Sequence, residues 1–162
     1  MKNLAYRGML AAGIAAFVAA GTMSVFAQQS DKLAAIKTRQ DFMKAQGADV
    51  KTITDYTKGN ADQAAAQKAA DDLVARQPKI DGLFVPGTSA ADFPGKTNAK
   101  PEIWTEKDKV AAIRSALGTA EQKLAADLKT GDKQTVGDDL ADLGKTGCGA
   151  CHNAYRLPLK RS

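Results

Sequence analysis

The chain of 162 residues has a single histidine and only two cysteines, and all three lie within one short stretch near its end. A structural zinc site takes four nitrogen or sulfur ligands, and the sequence offers no second cluster to complete one. If the one histidine acts together with the two cysteines, the chain has no other histidine that could be a general base. The sequence also shows no pairing of a nucleophile with a base. The sequence therefore predicts that the protein is not an enzyme.

Residues typical of strands are also scarce, since aromatic residues make up only 6% of the chain and valine and isoleucine are few. Alanine, lysine, leucine and glutamine are abundant, and these residues favour helix over strand. The net charge is +5, from 23 basic and 18 acidic residues, which is too dilute an excess to indicate nucleic-acid binding. Lysines and acids alternate along the chain, as they do on solvated helix faces.

The first 27 residues have the pattern of a secretory signal. Lys2 and Arg7 provide a positive start, residues 9–20 are apolar, and residues 25–27 fit a cleavage site. The apolar run is short and no positive stop-transfer cluster follows, so we predict cleavage rather than stable membrane insertion. Export to the periplasm would leave residues 28–162 as one domain, with 21 basic and 18 acidic residues and a net charge of +3.

Four helices are predicted in the mature chain, over residues 31–58, 61–77, 106–129 and 133–156. In the first, the predicted inward stripe comprises Leu33, Ile36, Gln40, Met43, Gly47, Val50 and Ile53 or Thr54. Residues 78–104 form a long connection with apolar content, which we interpret as a lid over the core, a pocket wall, or both. The predicted fold is an all-α, antiparallel four-helix bundle.

The stretch Cys-Gly-Ala-Cys-His contains Cys148, Cys151 and His152, and it is the attachment signature for c-type haem. The two thiols would form thioethers with the porphyrin, and the imidazole would be an axial ligand of the iron. Residues three and four apart share one helix face, so all three side chains can meet one haem. A thioredoxin-like redox pair would need a preceding strand, which the pattern lacks. A metal carrier with soft ligands is a weaker alternative.

Met43 is the only methionine after residue 27, and it lies on the inward stripe of the first helix. It is either the second axial ligand of the iron or a residue that fills the core. Arg39 could pair with a haem propionate through charge-assisted hydrogen bonds. Gln40 needs a partner if it is buried, and the edge of the haem could provide one.

Several segments resemble the class II cytochromes c, the family of cytochrome c′ and the low-spin cytochromes c-556. They are Arg39-Gln40 with Met43, then residues 86–88, 100–104 and 150–156. The resemblance spans nearly the whole mature chain. It implies a four-helix bundle with haem c near the C-terminal end, and it adds Trp104 as a predicted haem contact. Dimerisation through the first two helices is common in the family, so a homodimer is one expectation.

Two functions follow from the residue at the position of Met43. In low-spin relatives a methionine there ligates the iron, which implies a periplasmic one-electron carrier. In high-spin relatives the iron is five-coordinate and binds nitric oxide or carbon monoxide, which is the alternative. The leading prediction is the carrier, which would exchange electrons with acidic redox partner proteins attracted by basic side chains around the motif, namely Lys145, Arg156, Lys160 and Arg161.

Overall fold

A computed structural model of the chain describes residues 13–158, with side chains from residue 28 onward. The predicted basic residues Lys2, Arg7, Lys160 and Arg161 lie outside this range. The described helices are α1 (Gly13–Thr57), α2 (Gln63–Arg76), α3 (Glu102–Thr105), α4 (Lys107–Asp127), α5 (Lys133–Asp142) and α6 (Ala150–Tyr155). A π-helix, Leu143–Gly149, joins α5 to α6.

The long helices form a closed ring of neighbours. Helix α1 packs against α2 and α5, and α4 packs against α2, α5 and the π-helix. Short turns join α1 to α2 and α4 to α5, so these neighbours run antiparallel. Each turn contains a glycine with a left-handed backbone, Gly59 with φ 82° and Gly131 with φ 77°. The predicted all-α four-helix bundle is confirmed.

The core of the bundle consists of branched aliphatic side chains and small alanines. Its fully buried centre includes Ile53, Leu73, Leu124, Leu128 and Leu143. On α2 the buried face is mostly alanine, which lets neighbouring helices approach closely. Among the described residues, no helix is long and apolar enough to cross a membrane.

The predicted helix boundaries agree with the structure except at the first helix. Helix α1 begins at Gly13 rather than near residue 31, so the predicted cleavage point after Ala27 falls within its helical span. The long connection is partly helical. It contains two 3₁₀ turns, Gln77–Lys79 and Asp81–Leu83, before α3.

The buried face of α1 differs from the predicted stripe. Gln40 is exposed, whereas its neighbour Arg39 is only 4% exposed. The prediction that Gln40 lies on the inward face is therefore wrong. The physical reason is that the Arg39 guanidinium reaches four hydrogen-bond acceptors in the long connection, which makes its burial tolerable.

The π-helix lies directly against α4 at Gly147. A Cβ atom on this glycine would sit 2.7 Å from Leu117 Cδ1 and 3.2 Å from Leu117 Cα. The second contact is with backbone, so it cannot be relieved by a side-chain rotation. Glycine is therefore required for the close approach that places the haem-attachment motif beside α4.

We expect Gly147→Ala to destabilise the holoprotein by about 1–3 kcal/mol, because the new methyl group must push α4 away. Urea unfolding would measure this loss. Gly137→Ala in α5 is the matched control, since a Cβ there meets no atom within 4 Å. Equal unfolding midpoints for the two variants would contradict the close-approach argument.

Candidate functional site at the Cys-x-x-Cys-His motif

One cavity of the bundle opens onto all three residues of the motif. Cys148, Cys151 and His152 lie on its wall together with Met43 and Gln46 of α1. The remaining wall is mostly apolar and comes from the long connection, α3, α4 and the π-helix, namely Ile80, Phe84, Ile103, Val110, Ile113, Arg114, Leu117 and Gly147. The long connection is therefore a wall of the pocket, one of the two roles predicted for it.

Burial controls the protonation of the motif. It raises the pKa of the Cys148 thiol, to which the nearby Glu121 carboxyl adds a smaller contribution. Burial likewise raises the pKa of Cys151. It lowers the pKa of His152, and the positive charge of Arg156 acts in the same direction. A neutral imidazole with a free lone pair is the form that coordinates iron.

The residues on the cavity wall fit haem c. Two thiols one helical turn apart can form the two thioethers, and the adjacent imidazole can bind the iron. Aliphatic and aromatic groups offer the flat, apolar surroundings that a porphyrin needs. One polar atom on this wall has no partner among the described residues, the Gln46 side-chain nitrogen, which is buried. Such an orphaned donor indicates that the cavity holds something with an acceptor.

Arg39 fastens the long connection to α1. Its guanidinium donates to the Thr88 hydroxyl at 2.9 Å, the Thr88 carbonyl at 2.9 Å and the Thr97 hydroxyl at 3.0 Å. A longer bond of 3.3 Å reaches the Leu83 carbonyl. Within the described residues no carboxylate pairs with this buried charge. Burial correspondingly lowers the pKa of Arg39.

Two aromatic rings connect Arg39 to the cavity. The guanidinium carbon lies 5.2 Å from the ring centre of Phe84 and 5.9 Å from that of Trp104. The Trp104 indole donates to the Phe84 carbonyl at 2.8 Å, and the rings meet edge to face. Phe84 lines the cavity, and Trp104 packs in a cluster beside Cys151. Arg39 and Trp104 thus lie next to the site.

Gln40 is not brought to the cavity. Its side-chain amide donates to the Lys96 carbonyl at 2.8 Å on the outside of α1. Met43, in contrast, lies on the cavity wall with His152, as the predicted stripe required. Of the contacts predicted on α1, the structure therefore brings Met43 to the motif, Arg39 near it, and Gln40 away from it.

Two polar residues of this region were not identified from the sequence. Gln46 follows Met43 by three positions, which is the only signal that could have placed it on the same face. Glu121 on α4 is 2% exposed, and its Oε2 has no hydrogen-bond partner among the described residues. Burial raises the pKa of Glu121 from 4.5 to about 7. Glu121 lies four residues after Leu117 and three before Leu124, and this spacing is the sequence signal that could have placed it on the inward face of α4.

Comparison with known proteins agrees with this geometry. The sequence profile of the family described as "Cytochrome C'" matches residues 34–156. The chain belongs to the cytochrome c′ family. Cytochrome c′ of Pararhodospirillum photometricum is 32% identical over 122 residues, which cover 75% of this chain and 94% of the relative. Cytochrome c′ of Rhodospirillum rubrum is also 32% identical, over 150 residues, covering 88% and 95%.

Other relatives include a second type of cytochrome and solved structures. A cytochrome c-556 of Agrobacterium tumefaciens is 30% identical over 124 residues, covering 75% of this chain and 96% of the relative. A cytochrome c′ structure described by its ligand-controlled dimer dissociation has a TM-score of 0.72 and 27% identity, covering 78% and 97%. A ferrous cytochrome c′ variant from Alcaligenes xylosoxidans with bound nitric oxide has a TM-score of 0.66 and 27% identity, covering 77% and 94%.

Membership of the family confirms the predicted cofactor, because cytochromes c′ carry covalently attached haem c. In this chain Cys148 and Cys151 would hold it, and His152 would be an axial ligand. When bound, haem c supplies an iron that can change oxidation state and bind small ligands. The apolar residues of the cavity wall would limit the access of water to that iron.

We expect Arg39→Met to destabilise the holoprotein by about 2–4 kcal/mol, because buried acceptors in the long connection lose their donor. Urea unfolding and limited proteolysis over residues 83–97 would detect the loss. Lys44→Met is the control on the same helix, since its side chain is 81% exposed. Undiminished stability in Arg39→Met would show that the guanidinium does not hold the connection.

Glu121→Gln should change how stability depends on pH. Because the folded pKa of about 7 lies above the ordinary 4.5, the folded state keeps its proton where the unfolded state has lost it. The free energy of unfolding of the wild type should therefore decrease as the pH rises from about 4.5 to about 7. The variant lacks this loss, and by about pH 7 it should have gained on the order of 3 kcal/mol relative to wild type. Urea unfolding at several pH values tests this, with the exposed Glu102→Gln as control.

Proposed function

We propose that the protein binds a diatomic gas, nitric oxide or carbon monoxide, at the iron of a haem held by Cys148, Cys151 and His152. The observation that carries the proposal is the composition of the cavity at the motif. Apart from the motif itself, its wall offers aliphatic and aromatic groups, one thioether, one unpartnered amide and the guanidinium of Arg114, which is paired with Asp81. Small, nearly apolar ligands suit such a pocket, whereas charged or bulky substrates do not.

The relatives support the same proposal. Solved structures of cytochrome c′ from Alcaligenes xylosoxidans include a ferrous variant with bound nitric oxide and another variant, with 28% identity and a TM-score of 0.65, with bound carbon monoxide. Among the chain's own residues, the apolar wall would exclude water and anions from the iron. Met43, a weak and flexible neutral ligand, is the one group there that could compete with a gas.

Electron transfer is the second candidate, and the position of Met43 favours it. If the thioether occupies the iron, no site is left for a gas and the haem can only exchange an electron. Arg156 is exposed next to the motif and Lys145 is exposed on the π-helix. They would attract an acidic redox partner. Similarity to cytochromes c-556 is compatible with this function.

Location, assembly and chemistry complete the proposal. We place the protein in the periplasm, because the pattern of residues 1–27 indicates export. A homodimer is proposed by analogy with the relative whose dimer dissociates under ligand control. The protein would bind its ligand without converting it, since the described wall of the cavity carries no carboxylate and no second imidazole that could act as an acid or base beside His152.

Optical spectra of the holoprotein, with and without carbon monoxide, decide between the two candidates. Gas binding predicts a high-spin spectrum that shifts with carbon monoxide in wild type and in Met43→Ala alike. Electron transfer predicts low-spin bands, a methionine–iron charge-transfer band that Met43→Ala abolishes, and no response of the wild type to the gas. Leu33→Ala, an exposed position on the same helix, is the control for nonspecific effects on α1.

A further inference from the structure

The side chain of Gln46 carries the one fully buried hydrogen-bond donor of the cavity wall that has no partner among the described residues. Its Nε2 is buried and makes no hydrogen bond within the described residues. Arg114 of α4, another polar side chain on this wall, is already paired with Asp81. The two thiols are consumed when haem is attached, and His152 binds the iron. The Gln46 amide is therefore a buried donor for which the described residues provide no acceptor.

Helix geometry places this donor beside Met43 on the cavity wall. Gln46 follows Met43 by three residues on α1, so the two side chains lie on one face, a single turn apart. Both line the cavity that contains His152. The long, flexible glutamine side chain can deliver its amide to an atom bound close to the thioether.

We propose that the Gln46 amide donates a hydrogen bond to the outer atom of a diatomic ligand bound to the iron, and so determines which gas is retained. This inference rests on the proposed gas binding. A hydrogen bond favours the ligand whose outer atom becomes more negative on binding, which is nitric oxide rather than carbon monoxide.

The direct test is the C–O stretching frequency of the ferrous carbon monoxide complex. A hydrogen-bond donor at the ligand oxygen lowers this frequency through its positive electric field, whereas an apolar side chain packed against the ligand exerts no such field. We expect Gln46→Leu to raise the frequency and to speed nitric oxide dissociation roughly two- to tenfold, the effect of one lost hydrogen bond. Gln46→Glu, which keeps the shape but replaces the amide donor, should shift the frequency in the same direction above the pKa of the new carboxyl.

Gln122→Leu is the matched control, because Gln122 is exposed on α4 outside the cavity wall. All measurements are repeated in a Met43→Ala background. If carbon monoxide binds only in that background, the proposed gas binding fails, yet the Gln46 comparison can still be read there. An unchanged frequency in both Gln46 variants overturns the inference. An unchanged frequency with an altered reduction potential overturns it too, and assigns the amide to the haem itself.

Discussion

Arg39 is the one buried cationic residue in the described part of the chain, and its hydrogen bonds connect α1 to the long connection beside the cavity. Arg39 brings a charge into the protein and meets only neutral acceptors, two threonine hydroxyls and two backbone carbonyls. Because burying a charge without partners is costly, these acceptors must stay in place. They belong to a segment with little regular structure, so the arginine gives that segment its conformation. Phe84 and Trp104 pack against the guanidinium, and Phe84 lines the cavity.

The second attachment of that segment comes from the opposite end of the chain. Ala99 and Arg156 form an isolated antiparallel bridge, and Lys100 bonds through its backbone nitrogen to the Tyr155 carbonyl. The Tyr155 hydroxyl donates to Glu106 at 2.8 Å, which ties α6 to the start of α4. The motif helix and the long connection are thus fixed to one another, and the cavity between them keeps its shape without a sheet or a disulfide.

The fold could be predicted because its signals are local and repeated. Four helices follow from composition and from residues such as Asp132 and Gly131, which cap α5 and end the turn before it. The motif at Cys148 defined the site by itself. The exposure of Gln40 could not be predicted in the same way. At the border of an amphipathic helix face, the sequence pattern does not show which of two adjacent residues points inward. Arginine is usually placed outside, and only the distant Thr88 and Thr97 make Arg39 an inside residue. Gln46 and Glu121 were not identified for a related reason. Whether a buried polar atom lacks a hydrogen-bond partner depends on the tertiary structure and cannot be read from the sequence.

The π-helix has a consequence for helical phase. Leu143, Gly147, Cys151 and Tyr155 are four residues apart, and all but the half-buried Cys151 are buried. An α-helix turns about 100° per residue, so three such steps would rotate the last of them about 120° off the starting face. The wider π turns absorb this excess within residues 143–149. The number of residues in this segment therefore sets the direction in which the haem ligands face. A regular α-helix over the same number of residues would instead turn Cys151 and His152 away from the cavity.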